Sequence, residues 1–222
     1  IDGAGKKVTR SDNCRVSDLS VSSDNLTFTY EAKSLPYPID TSYYDNEKHT
    51  QADALSVIPF MDEMNYEGLS VSGLSDGYYG LTIGGEFIGR FTARELERGI
   101  NMALLQNTPQ YKQAMKIRQM NEERWLKERK MREFYWVEYN LMRKTGMLWA
   151  CNEAAVDTLR KYRPHDIFLQ WNGDLWLQYM HKGIREDCVN EQQDLVNRIY
   201  EQNKPIPLRI EIKKFTDRRA SC

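Results

Sequence analysis

Up to about residue 92, apolar positions along the chain recur at every second place, and beyond it at every third or fourth. Leu19 and Val21 alternate with polar neighbours, Ser22-Ser23-Asp24-Asn25 supplies a turn, and Leu26, Phe28 and Tyr30 alternate again. A period of two places one set of side chains on one face, so this stretch predicts a β-hairpin with one buried face. Pro36 and Pro38 then break the chain, and residues 39–53 are polar and loop-like. Further strands are expected at about 54–60 and 67–72. The clearest local signal lies between Tyr79 and Phe91, where Gly84-Gly85 can take the positive φ angles of a two-residue hairpin turn. Residues 8–91 therefore read as a small antiparallel β-sandwich.

The helical pattern opens with Thr92-Ala93-Arg94-Glu95, a capping box that predicts a short helix over about 93–105. Thr108-Pro109 gives a second start, with an N-cap hydroxyl and a proline in the first turn. No Gly or Pro follows before Lys144, which allows one helix of about 35 residues, about 52 Å long. Its apolar residues gather at the two ends, and Asn121 to Lys130 keeps only Trp125 and Leu126. Glu123 with Lys127 and Glu128 with Arg132 have the favourable i,i+4 order of an exposed surface. The middle of the helix is thus expected to project or to cross a groove. Helices are also expected at 152–162, ended by Pro164, and at about 174–203, weakened at Gly183 and ended before Pro205. Ile206, Leu208, Ile210 and Ile212 alternate as a final strand, placed on a sheet edge because Pro207 has no amide hydrogen. The fold class is α+β: an antiparallel β-sandwich in residues 1–92, then a long-helix hairpin or bundle with a C-terminal edge strand in residues 93–222.

Charge sharpens this division. Residues 1–92 hold 14 acidic and 7 basic residues, and residues 93–222 hold 18 acidic and 24 basic. The two parts are either differently solvated or mutually attracted. The whole carries a net charge of -1, so no global field favours nucleic acid or anionic lipid. No apolar run approaches the roughly 18 residues of a membrane span. The chain opens on Ile1 without an apolar leader segment, so a preceding segment is expected. Cys14, Cys151, Cys188 and Cys222 form no C-x-x-C pair. Cys151 and Cys188 either pair between helices or stay reduced.

Candidate chemistry is sparse. There are three histidines: His49 in a polar loop, His165 beside Pro164, and His181 on a helix. Each reads as a surface or capping residue before it reads as a triad base. No G-x-S-x-G elbow is present, and Ser75 lies in Ser75-Asp76-Gly77, ordinary turn chemistry between strands. No H-E-x-x-H or EF-hand loop appears, and Asp45, Glu47 and His49 in one loop do not specify a metal. Gly84, Gly85 and Gly89 are hairpin glycines, so no phosphate or dinucleotide cofactor is expected. The carboxylates of Asp62/Glu63 and Glu122/Glu123 are sequence neighbours that point apart. The basic residues from Lys112 to Arg132 lie on all sides of the helix, among Glu122, Glu123 and Glu128, as a solvated surface would. Phe134-Tyr135-Trp136 with Tyr139 is dense enough for a carbohydrate platform, but at helical spacing it reads first as core or interdomain contact.

Several segments in order carry a likeness. Leu35-Pro36-Tyr37-Pro38 follows the strand ending Phe28-Thr29-Tyr30. Leu69-Ser70-Val71-Ser72-Gly73-Leu74 precedes the block from Gly77 to Gly85. Phe91-Thr92-Ala93-Arg94-Glu95 leads through Ile100-Asn101 to Asn107-Thr108-Pro109-Gln110, and Asn121-Glu122-Glu123-Arg124 precedes an aromatic stretch to Asn140. Over residues 15–145, and again at Pro205 and the final strand, this resembles the C-terminal region of a bacterial SGNH/GDSL hydrolase group. Such proteins carry a catalytic Ser in a Gly-Asp-Ser block and a late Asp-x-x-His, both before this region, and neither block is here. The resemblance implies ester hydrolysis or deacetylation by a larger protein, often on a carbohydrate ester, in a secreted or periplasmic setting. This chain supplies no catalytic residue under that reading. It would pack on an upstream SGNH catalytic domain, with Arg118, Glu122, Trp125 and Trp136 as substrate- or domain-contact candidates. An independent β-sandwich binding module, for glycan or protein, and a structural subunit of a larger assembly are the alternatives.

Overall fold

The computed structural model of the chain describes residues 1–41 and 48–215. Asp45 and Glu47 of the loop trio, and Cys222, lie outside the described residues. The chain divides into two compact units, one of Ile1–Ile117 with Asn203–Cys222 and one of Arg118–Gln202. The change of pattern at residue 92 marks the end of a hairpin. The unit boundaries lie farther along, because residues 93–117 and the final strand hold to the sheet.

In the first unit, β1 (Cys14–Val21) and β2 (Asn25–Ala32) form the expected hairpin. The strand expected at 54–60 is instead a 3-10 turn, Gln51–Ser56, and a short helix α1 (Phe60–Glu63). The reason is local: Thr50 and Asp53 form a capping box that winds the backbone, and Val57 is 80% exposed, with no sheet face to fill. Next come β3 (Gly68–Leu69), β4 (Tyr78–Ile83) and β5 (Glu86–Thr92). Gly84 and Gly85 sit at φ 59° and 86°, the signs a two-residue I′ turn requires. Helix α2 (Ala93–Arg98) has its capping box: the Thr92 hydroxyl accepts from the Glu95 amide at 3.2 Å, and the Glu95 carboxylate accepts from the Thr92 amide at 2.7 Å. It stops well short of 105. Gly99, at φ 96°, turns the chain into β6 (Ile100–Asn101), which pairs with β3. Helix α3 (Pro109–Val137) starts where expected, with the Thr108 hydroxyl accepting from the Tyr111 amide at 3.3 Å.

The final strand, β7 (Leu208–Lys214), is central and not at an edge. The five-stranded antiparallel sheet runs β1-β2-β7-β4-β5. Pro207 stands just before the first paired residue, so its missing N–H interrupts no ladder bond. Leu26 and Leu81 both face Ile212, one from each side. One face of the sheet carries Leu26, Phe28, Leu81, Ile83, Ile210 and Ile212, all buried, and Leu69, Val71, Leu96 and Met102 pack on it. The second layer is thus the β3–β6 ribbon with α2.

A polar cluster is sealed into this unit. Tyr30 Oη donates to the Glu67 carboxylate at 2.9 Å, and Gln110 Nε2 donates to it at 3.3 Å. Burial holds the Glu67 carboxyl above its usual range, against the downward pull of these donors. Burial, then the Glu67 charge, pushes the Tyr30 hydroxyl up. Gln110 Oε1 is buried without a partner.

The second unit is the C-terminal part of α3 with α4 (Glu153–Tyr162), α5 (Ile167–Tyr179) and α6 (Lys182–Gln202). Phe134, Val137, Met142, Leu159 and Trp176 form its buried centre. The single helix expected over 174–203 is two. Arg185 Nη1 donates to the carbonyls of Tyr179 and Met180 at 2.6 and 2.8 Å and so closes the end of α5. The start of α5 is set by Asp166, whose carboxylate accepts from the amides of Phe168 and Leu169. The surface pairs also differ from expectation. Lys127 reaches Glu191 on α6 at 2.6 Å, and Glu128 takes Arg124 at 3.0 Å. The middle of α3 is therefore engaged by α6.

A carboxyl whose folded pKa is raised costs stability as pH rises through that value, and costs nothing well below the unfolded one. Glu67→Gln removes the charge and offers an amide donor to Gln110 Oε1. It is expected to raise the melting temperature at pH 8, with the gain disappearing as pH falls below the ordinary carboxylate range. A melting series across pH checks this, and a gain independent of pH would exclude charge burial as the cost.

Candidate functional site

The helical unit contains a cavity of about 360 Å³. Trp136, Asn140, Leu141, Lys144 and Thr145 form one wall, from the end of α3 and the turn after it. Tyr162, His165, Asp166 and Leu169 form the other, from α4 to α5. Two local devices hold these walls.

The first is a π-helical turn over Glu138–Met142 that continues α3, with the Arg143 amide bonded to the Glu138 carbonyl at 2.7 Å. Such turns insert one residue into a helix and re-aim its side chains. Asn140 Nδ2 donates to the Trp136 carbonyl at 2.9 Å, and the Thr145 hydroxyl donates to the Leu141 carbonyl at 3.0 Å. The Glu138 side chain points into the core, where it is 1% exposed. Its carboxyl oxygens accept from Trp176 Nε1 and from the Trp149 amide, both at 2.8 Å. Trp149 has φ 62°, a left-handed conformation that L residues adopt only at a cost. Its ring lies against Phe134, Tyr135 and Tyr139 at 6.3, 6.0 and 5.9 Å.

The second device is Arg163. Its guanidinium makes two bonds to Asp174, at 2.6 and 2.7 Å, and one to the Gln170 carbonyl at 3.1 Å. This clamps the turn carrying His165 onto α5, and it holds the Asp174 carboxyl below its usual range. It depends on Gly173, where a Cβ would come within 3.2 Å of Arg163.

Of the residues picked from sequence, Trp136 lines the cavity, with its ring 5.2 Å from Phe168. Trp125 is 42% exposed, with the Arg132 guanidinium 5.7 Å from its ring. Arg118 and Glu122 lie 3.6 Å apart as an i,i+4 pair. The cavity takes only Trp136 from this set. Sequence reasoning missed Asn140, Lys144, Thr145 and Tyr162, which no local motif marks. It read His165 as a surface residue, while the structure places it in the cavity wall. Cys151 and Cys188 do not pair: both are free, and Cys151 Sγ lies 3.3 Å from His181 Nδ1. Among the described residues, neither His165 nor His181 bonds a carboxylate or a serine hydroxyl.

Residues 115–204 match the family model of the diltiazem deacetylase C-terminal helical domain. This stretch holds the cavity, Glu138, the Arg163 clamp and all four residues picked from sequence. The chain is also similar to BT4096, a gut microbial diltiazem-metabolizing enzyme, at 35% identity and a TM-score of 0.90. That likeness covers 97% of this chain and 49% of the enzyme, so the chain spans about half its length. No curated protein matches the sequence. The expected likeness to the C-terminal region of an SGNH/GDSL hydrolase is met in its coarser part, as a likeness to a deacetylase C-terminal domain.

Glu138→Gln would set an amide donor against one of the two N–H groups that the carboxyl now accepts. The expected loss is about 1–3 kcal/mol, read as a lower denaturation midpoint followed by tryptophan near-UV dichroism. An unchanged midpoint would show that the carboxyl anchors neither group.

Proposed function

We propose that the chain is a non-catalytic accessory part of a serine esterase of the SGNH/GDSL type, packing on a catalytic domain and shaping its substrate cleft. The observation that carries this is the likeness to about half of a diltiazem-metabolizing enzyme, joined to a helical unit that matches a deacetylase C-terminal domain. The SGNH assignment is supported by the ordered segments between residues 15 and 145. The reaction is removal of an acyl group, acetyl first, from an ester, with a carbohydrate ester as one substrate class. Arg118, Glu122, Trp125 and Trp136 are the contacts to the catalytic domain or substrate in this reading. An exposed indole such as Trp125 suits that role, because aromatic anchors contribute most at interfaces.

The chain alone is expected to leave aryl acetates intact. In the complete protein, Trp125→Ala and Trp136→Ala are each expected to lower kcat/KM for an aryl acetate by about tenfold. Stopped-assay kinetics with matched melting curves check both statements. Turnover by the isolated chain, or full kcat/KM with full stability in both variants, would end the accessory reading.

A further inference from the structure

We propose that the Trp136 cavity of the helical unit is a binding site for a neutral pyranose ring. The binding is argued from the cavity alone. That the sugar belongs to an acylated substrate rests on the hydrolase reading above.

The cavity volume, about 360 Å³, lies at the small end of the roughly 300–1,000 Å³ typical of small-molecule sites. Its exposed lining is mostly apolar, with the Trp136 indole, the Tyr162 ring and two leucines, and six of its nine lining residues besides Trp136 carry hydrogen-bonding groups. A ligand apolar on all sides would cover the polar groups among them that have no partner among the described residues, at about 1–3 kcal/mol for each one desolvated. A pyranose has the complementary shape: C–H faces that lie on an indole, and hydroxyls around its edge. Charge agrees with a neutral ring, because the lining carries one lysine and one aspartate.

Several of these groups are already oriented. Asn140 gives one amide N–H to the Trp136 carbonyl, which fixes the side chain and leaves its oxygen as an acceptor. The Thr145 hydroxyl donates to a backbone carbonyl, which leaves its lone pairs. Asp166 is fixed by two amides of α5. The side chains of Lys144, Tyr162 and His165 and the indole N–H of Trp136 bond to no other described residue, so they are donors that a ligand can meet. Groups held in place before binding lose little freedom on binding.

The test is a titration of the chain, labelled with 15N at its tryptophan indoles, with methyl glycosides of neutral hexoses and N-acetylhexosamines, and with phenol as a planar aromatic control. The Trp136 signal, assigned by its loss in Trp136→Phe, is expected to shift and saturate with at least one glycoside and not with phenol. The signal of Trp176, buried on Glu138, is expected to stay in place. Lys144→Ala and His165→Ala, which break no side-chain bond to another described residue, are each expected to weaken binding by about threefold to tenfold. No shift with any glycoside, an equal or larger response to phenol, or a response untouched by both variants would overturn the proposal. These outcomes are independent of the ester assay, so the cavity and the hydrolase reading can fail separately.

Discussion

The first unit depends on one pairing, that of β7 between β2 and β4. Without it the remaining strands are two separate hairpins, β1–β2 and β4–β5, and an isolated hairpin is marginal in water. Ile210 and Ile212 supply the middle of the buried face, so the strand brings both the missing ladder and the missing apolar surface. The covering ribbon and α2 then have a continuous floor on which to pack. The Glu67 cluster sits at the rim of that arrangement and sets Tyr30 of β2 against Gln110 of α3.

The second unit is organised around a polar contact in an apolar centre. The Glu138 carboxyl satisfies the indole N–H of a fully buried tryptophan and the amide of a residue in a costly backbone conformation. The indole N–H of Trp176 would otherwise be stranded in the core, where an unpaired polar group is expensive. The same π turn that aims Glu138 inward places Asn140 and Trp136 on the cavity wall. Core anchoring and site geometry therefore share one irregularity in the helix.

Features written in contiguous residues were legible in the sequence. Gly84-Gly85 required its turn, Thr92 and Glu95 their box, and Thr108-Pro109 the start of α3. The alternation of Leu208, Ile210 and Ile212 showed a strand, but its position did not follow, because its partners Tyr30 and Ile83 lie far away in the chain. Pro207 pointed to an edge only if it belonged to the ladder, and it stands just outside. Val57 and Ile58 looked like strand residues, but the capping geometry of Thr50 and Asp53 prevailed. In the candidate site, Trp136 was visible as an aromatic at helical spacing. The Arg163–Asp174 clamp and its dependence on Gly173 were not, since they arise only when the turn folds back on α5.

The placement of the final strand has a consequence for biosynthesis. The helical unit is threaded into the sequence of the sheet unit, whose closing strand is made only after it. A nascent chain must carry its two hairpins, with their apolar faces uncovered, while all of residues 118–202 are added. During that interval the exposed strand edges that later flank β7 are open to any extended segment nearby. The helical unit can settle first, on local contacts, and the sheet is completed only when Leu208–Lys214 arrives.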